Sequence, residues 1–383
     1  MPMDTDSFEM LLETVRRYVA ERLVPLERQV DEQDHMPDEV IEEMKEMGLF
    51  GLTIPEEYGG LGLDMEEEVR VVFELGKTSP AFRSVFGTNL GIGSQAIIMG
   101  GSEEQKRHYL PKMATGELIG SFALTEPDTG SDAMSVSTKA VRDGDDYLLN
   151  GTKRWITNAP RADVFSVMAR TAPEKKASSI SCFLVPRDAP GVSLGEPDPK
   201  MGQHGTLTCD VNFSDARVSA DTLLSGEEGT GFKTAMKVLD KGRLHISALC
   251  VGLAERLIEE SIRFTTDRKQ FGQRIADFQL VQGMLADCVT EAQAGRAMVL
   301  EAARARDAGE HVVGKIAATK YFCTEMVGRV ADRAVQMHGG AGYMSEYPVE
   351  QFYRDVRLFR IYEGTSQIQQ LIVAREAIKA FEG

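Results

Sequence analysis

Nowhere among its 383 residues does the chain hold an uncharged apolar run long enough to cross a bilayer, so no membrane span is expected. Basic residues are in the minority. The 43 lysines and arginines against 59 aspartates and glutamates leave a net charge of −16, which works against nonspecific attraction to nucleic acid or anionic lipid. An anionic ligand must therefore be met by local basic residues. Cysteine is scarce: Cys182, Cys209, Cys250, Cys288 and Cys323 are scattered, odd in number and without metal-type spacing, so they read as reduced packing residues. The six histidines do not cluster, the turn Asp128-Thr129-Gly130-Ser131-Asp132 lacks the closing glutamate of a calcium loop, and no metal site is expected. No Gly-x-Gly-x-x-Gly follows a strand and no β-α alternation exists, which argues against a Rossmann dinucleotide site. Residues 226–234, GEEGTGFKT, fall short of a phosphate-binding loop because Phe232 separates Gly231 from Lys233 and two glutamates would repel phosphate. They read as a turn entering a helix. The acidic opening, residues 1–7, lacks the basic-then-apolar order of a secretory signal, and a cytoplasmic location is expected.

What is present is ordinary globular material, 42% hydrophobic and 27% charged, in a chain long enough for two or three domains. Residues 8–48 carry Leu11, Leu12, Val15, Tyr18 and Val19, then Val40, Ile41 and Met44, at helical spacing. After the glycine cluster 59–62, residues 66–76 and 93–99 are helical again, and Ser102 with Gln105 forms a capping box for the next helix. Around Gly120 the texture changes to short β-type runs at 121–125, 147–150, 154–157, 164–169, 180–185 and 209–213. Asn150-Gly151 is expected to be the turn of the clearest hairpin, with the single tryptophan, Trp155, on its return strand. From Gly231 long helical blocks return at 244–268, 279–307, 315–338 and 366–381. The fold class is α+β. An N-terminal α-helical domain (1–119), a middle antiparallel β domain (120–229) and a C-terminal four-helix bundle (230–383) are expected.

The stretch with most chemical promise is Arg360-Ile361-Tyr362-Glu363-Gly364-Thr365-Ser366-Gln367-Ile368-Gln369. Ser366 and Gln369 read as a capping box, so the helix starts near Ser366 and Glu363 stands on the loop before it. Apolar neighbours raise the pKa of such a carboxyl while the positive end of the helix lowers it, a balance from which a general base can be tuned. Glu363 could equally do no more than complement the helix dipole. Other segments carry similar pairs of readings. Residues 122–132 run from a strand into a glycine-serine turn able to hold a phosphate, or form a capped surface turn. Trp155 to Asn158 offers an aromatic plate and a hydroxyl, or a core residue. Asp267 to Gly272 puts a basic pair at a helix end, and residues 336–342 end a helix in small residues, as a cap or as a place of close ligand approach. Arg243 is a ligand contact or the partner of Asp240.

In this order, FALTEPDTGSD, Trp155-Ile156-Thr157-Asn158, DRKQFG, QMHGGAGYMSEYPVEQFYRD and IYEGTSQIQ resemble the acyl-CoA dehydrogenase family over essentially the whole chain. The resemblance implies FAD, an acyl-CoA substrate, an electron-transfer flavoprotein as acceptor and a homotetramer built from dimers. By position, Phe122, Leu124, Thr125, Gly130 and Ser131 would line the flavin and its pyrophosphate, with Ser131 also near CoA. Trp155, Ile156 and Thr157 would contact the isoalloxazine. Arg268, Phe271, Gln279, Gln336, Gly339 and Gly340 would bind the ADP half, some across to a neighbouring subunit, and Thr365 and Gln367 would touch the flavin. Asp240, Arg243, Tyr362 and Gly364 would meet substrate. Phe122 stands where tyrosine is frequent and Phe278 where some members carry histidine, which puts individual hydrogen bonds in doubt.

Some branches of the family carry the base just before the residue matching Arg243, but here that position is Gly242. Glu363 is the matching carboxylate, implied to take the α-proton while the β-hydrogen passes to the flavin, giving a trans-2-enoyl-CoA. Two alternatives stand beside this. Arg83 falls where glutaryl-CoA-type, decarboxylating members carry a carboxylate-binding arginine. A noncatalytic CoA-binding scaffold is the other, and the retained Glu363 argues against it.

Overall fold

The computed structural model describes residues 3–174 and 176–382; Met1 and Pro2 of the acidic opening lie outside them. Seven helices form the N-terminal third: α1 (Thr5–Tyr18), α2 (Glu27–Gln33), α3 (Asp38–Glu46), α4 (Met65–Leu75), α5 (Pro80–Leu90), α6 (Ile92–Gly100) and α7 (Glu103–Thr115). The expected capping box opens α7, with Ser102 Oγ accepting from Gln105 N and Gln105 Oε1 accepting from Ser102 N. The sequence pattern missed α5. Every residue of that helix is buried, so it shows no amphipathic stripe to detect.

The β domain has strands β1 (Gly120–Ala123), β2 (Lys139–Asp143), β3 (Asp146–Thr157), β4 (Val164–Arg170), β5 (Ile180–Pro186), β6 (Val192–Leu194) and β7 (Thr208–Ser219). Their order is β1-β4-β2-β3-β7-β6, with β5 on the other edge of β4. Pairing is antiparallel except that β1, and one residue pair of β2, run parallel to β4. The hairpin turn lies elsewhere than expected. Gly144, at φ +65°, turns the chain between β2 and β3, and Asn150-Gly151 sits inside β3 at a shift in its register with β7. The two runs read as separate strands are one strand bent by bulges, and the Asn150 side chain braces the bend by pairing with Asp215.

In the C-terminal third, α8 (Gly231–Asp267) is followed by a two-strand ribbon of β8 (Lys269–Gln270) and β9 (Gln273–Arg274), then α9 (Gln279–Asp307), α10 (Val313–His338), α11 (Val349–Val356) and α12 (Ser366–Glu382). The four long helices α8, α9, α10 and α12 are the expected bundle. Its core is Leu249, Leu253, Leu257, Val299, Met326, Val327 and Val330. α8 starts 13 residues before the helical block expected at Leu244, and that extra length carries Asp240, Gly242 and Arg243. Gly252 lets α8 touch α4: a Cβ there would overlap the Phe73 carbonyl. Among the described residues no helix is long and apolar enough to cross a membrane.

Candidate active site

The turn bearing Glu363 joins a short 3-10 segment, Arg357–Arg360, to α12. Glu363 has φ +54° and Gly364 φ +92°, two successive left-handed residues. For a glutamate this costs roughly 1–3 kcal/mol and persists only where the surroundings impose it. Here they do. Arg243 Nε donates to the Glu363 carbonyl at 3.0 Å, and Lys320 Nζ donates to the carbonyls of Phe359 and Gly364, both at 2.8 Å. Gln369 Nε2 reaches the Gly364 and Glu363 carbonyls at 3.1 and 3.3 Å. The cap of α12 differs from expectation. Thr365 Oγ1 accepts the Ile368 N–H at 3.3 Å, because Ser366 Oγ donates instead to Glu325 Oε1 at 2.6 Å.

Held this way, Glu363 turns its carboxyl inward. Its Oε2 is buried without a hydrogen-bond partner and lies against Gly242 of α8. Burial pushes the carboxyl above the ordinary glutamate range, and the positive charges of Arg83, Lys320 and Arg243 oppose that rise. Of the two opposing effects expected from the sequence, burial prevails, and the opposing charge comes from side chains on α5, α10 and α8. Arg243 also donates through Nη1 to Asp240 Oδ1 at 2.8 Å, so it serves both as the intrahelical partner and as a brace of the turn. Tyr362 packs on the bundle core, and burial keeps its phenol protonated.

Arg83 comes to the same place from α5. Its Nε donates to His245 Nε2 at 2.6 Å, and His245 Nδ1 contacts Glu68 Oε1 at 2.6 Å. Burial depresses the imidazole to about 4, so it is neutral, accepts from Arg83 and donates to Glu68. Burial opposes ionisation of Glu68, but Lys241, 3.2 Å away, and His245 hold it at about 2. Arg83 itself has no carboxylate partner among the described residues, and its guanidinium lies over Gly87.

The residues expected to face a flavin fall into two groups. Helix α5 ties the first to the Glu363 turn: Asn158, at the end of β3, donates to the carbonyls of Ser84 and Val85, and Asn89 accepts from Gly120 N at 2.7 Å. Phe122 is buried on β1 and Leu124 half-buried beyond it. Thr125 O accepts the Arg154 N–H, and Ser121 Oγ donates to Thr157 O. Trp155 stands on a β-bulge at φ +56° and is 56% exposed, not a core residue. Ile156 points into the β-domain core, which leaves only its backbone for a ligand. Gly130 and Ser131 lie on an exposed turn, and a Cβ at Gly130 would meet nothing. Thr365 and Gln367 flank the start of α12.

The second group is gathered at the far end of α8. Arg268 caps that helix, Phe271 follows at φ +52°, Gln279 opens α9, and stacking of Phe264 on His338 at 4.3 Å brings the end of α10, with Gln336, Gly339 and Gly340, alongside. Phe271 is 95% and Leu280 85% exposed. Gly242 and Arg268 are 26 residues apart on or next to one continuous helix, a separation of about 40 Å along its axis.

Sequence reasoning passed over Lys320, His245, Glu68 and the buried pair Lys153–Glu126. Lys320 left one signal, a lysine on the apolar stripe of Ile316, Cys323 and Val327. The other residues sit in segments whose pattern is that of ordinary helices and strands.

Three family models cover this architecture: acyl-CoA dehydrogenase N-terminal domain over residues 5–117, middle domain over 121–216 and C-terminal domain over 229–378. The chain belongs to the acyl-CoA dehydrogenase family. A probable acyl-CoA dehydrogenase of Bacillus subtilis, YngJ, is 40% identical over 98% of this chain and 99% of that one. Among solved structures, a chain described under "Electron transferring flavoprotein of Acidaminococcus fermentans" has TM-score 0.94 and 36% identity, covering 98% of this chain and 99% of that one. Butyryl-CoA dehydrogenase from Megasphaera elsdenii has TM-score 0.93 and 33% identity over 99% and 100% of the two chains. A glutaryl-CoA dehydrogenase in complex with glutaryl-CoA has TM-score 0.92 and 34% identity over 99% and 97%.

The family is one of flavoprotein oxidoreductases, and its cofactor is FAD. The residues present fit that group. An exposed indole on a bulge offers a plate for a flat ring, the open backbone at Gly130, Gly339 and Gly340 admits close approach, and Arg268 is free of carboxylate partners among the described residues.

Proposed function

We propose that this protein dehydrogenates an acyl-CoA thioester between its α and β carbons to a trans-2-enoyl-CoA, with Glu363 as the base. The observation that carries the reading is the Glu363 carboxyl itself, buried, unpartnered at Oε2 and ringed by three cations that offset its burial. Such a group takes a proton from carbon more readily than an exposed glutamate would, because its own proton affinity is raised. The Glu363 backbone N–H, on a turn locked by Arg243, Lys320 and Gln369, would donate to the thioester oxygen and acidify the α-hydrogen. Bound FAD supplies the two-electron acceptor. Phe122, Leu124, Thr125, Gly130, Ser131, Trp155, Thr157, Thr365 and Gln367, with the backbone of Ile156, would hold its flavin end; Asp240, Arg243, Tyr362 and Gly364 would meet the substrate. Arg268, Phe271, Gln279, Gln336, Gly339 and Gly340 would hold the ADP end. About 40 Å along α8 is more than one FAD molecule spans, which supports a second copy supplying the ADP-binding group and, by family pattern, a tetramer. Domain limits near residues 119 and 229 belong to the same reading, as does electron transfer to an electron-transfer flavoprotein, with which the Acidaminococcus neighbour is associated by description.

Anaerobic mixing with a panel of acyl-CoAs tests this. The visible flavin absorbance of the parent bleaches, and Glu363→Gln binds FAD but bleaches at least ~100-fold more slowly. Equal bleaching by the variant overturns the assignment.

One observation favours a second reading. The Arg83 guanidinium, next to Glu363 and without a carboxylate of its own, could receive a second acid group on the acyl chain. Release of carbon dioxide from glutaryl-CoA distinguishes this reading from the first.

A further inference from the structure

Lys320 is fully buried, and its amine does two things at the Glu363 turn. Its Nζ donates to the carbonyl of Phe359, at the last turn before the reversal, and to that of Gly364, just before α12. These two carbonyls are the two ends of the turn that carries Glu363. Among the described residues no carboxylate lies within ion-pair distance of Nζ, so the charge is not neutralised locally. Of the other cations facing Glu363, Arg243 is shared with Asp240. We propose that Lys320 is a positioning residue for proton abstraction, tying both ends of the Glu363 turn and adding, beside Arg83 and Arg243, a positive charge that favours its carboxylate form until substrate arrives.

Three cations share the charge, but Lys320 is the one among them that bonds both ends of the turn. Facing the Glu363 carboxyl are Arg83 from α5, Arg243 from α8 and Lys320 from α10; facing Lys320 are Glu363, the Cys250 thiol, Arg243 and Glu325. Cys250 is held protonated by burial, and Glu325 is engaged by Ser366 and Arg360. Burial depresses the Lys320 ammonium to about 8, so it is charged through the neutral range and loses its proton only on the alkaline side. Gln369 donates to the Glu363 and Gly364 carbonyls without carrying charge. It is therefore the natural control.

The inference rests on Glu363 being the base, and the experiment separates the two. Acetyl-CoA has α-hydrogens and no β-carbon, so the holoenzyme can exchange its hydrogens with D2O but cannot oxidise it. The α C–H bond breaks with its proton passing to Glu363 and a deuteron returning to the same carbon, with no change in redox state. Exchange is followed by NMR across pH. In the parent, the rate falls on the acid side as Glu363 is protonated. In Lys320→Met that acid limb moves up by about one unit, and the plateau rate drops at least ~10-fold. In Gln369→Leu the plateau drops and the limb stays. If Lys320→Met does not fold, Lys320→Gln, also neutral, carries the same expected shift. A limb unmoved by neutralising Lys320 overturns the proposal. Undiminished exchange in Glu363→Gln instead overturns the assignment of the base.

Discussion

The carboxylate of Glu363 occupies the space that a side chain at Gly242 would need: a methyl group built on Gly242 overlaps Glu363 Oε2. Two positions 121 residues apart in the chain therefore address one volume, one from a turn and one from the face of α8. Gly242→Ala should push Glu363 aside and lower kcat/KM by roughly 10²-fold, since a displacement of about 1 Å costs that much. Moving the acid, as Glu363→Gly with Gly242→Glu, should recover part of the activity lost in Glu363→Gly alone. Steady-state kinetics on one acyl-CoA for all three variants decides this.

The rate of flavin reduction should depend on pH through Glu363. With Glu363 as the proposed base the ionised form is the reactive one, and burial raises its pKa, so the rate should fall as pH drops through a value above the ordinary glutamate range. Arg83 is the foremost charge opposing that rise. Arg83→Met should move the acid limb of kcat further up, read by stopped-flow across pH.

Asp355 gives a stability effect of opposite sign to the usual carboxylate. Burial lifts its folded pKa to about 7, only partly offset by the Gln203 N–H, and its Oδ2 has no partner. Because the folded state holds this proton more tightly than the unfolded chain, its favourable contribution is complete at low pH and is lost as pH rises through about 7. Asp355→Asn removes that dependence. Relative to the parent, its Tm should gain between pH 5.5 and 8.5 by an amount corresponding to on the order of 2 kcal/mol.

The buried pair Lys153–Glu126, at 2.8 Å, anchors the strand bearing Trp155 to the turn beyond β1. Glu126 also accepts from Ser137 and Thr138. Lys153→Met strands the glutamate and should lower unfolding free energy by roughly 3–5 kcal/mol. Since Trp155 is the single tryptophan, its emission in the apoprotein should shift as well.

Much of this was legible in the sequence because local rules were strong. The helix-β-helix order follows periodicity, and the Ser102-Gln105 cap forms as spelled. Asn150-Gly151 misled because a dipeptide suited to tight turns also suits a bulge, and only pairing with β7 decides between them. The Ser366 cap failed for a similar reason: Glu325, 41 residues away, competes for the hydroxyl. Glu363 was found from its motif, but its opposing charges were not. Arg83, Arg243 and Lys320 come from three helices, and no spacing in one dimension reports that they converge.

The length of α8 has one more consequence. On the proposed reading, in which a second copy holds the adenine end, Gly242 near one end of α8 and Arg268 at the other serve different pockets, so the lost acid of one subunit and the lost adenine grip of its partner fall in the same pocket of the pair. Hybrids of Glu363→Gln with Arg268→Glu should then contain one intact pocket and one doubly broken pocket. Mixing two inactive preparations would revive turnover.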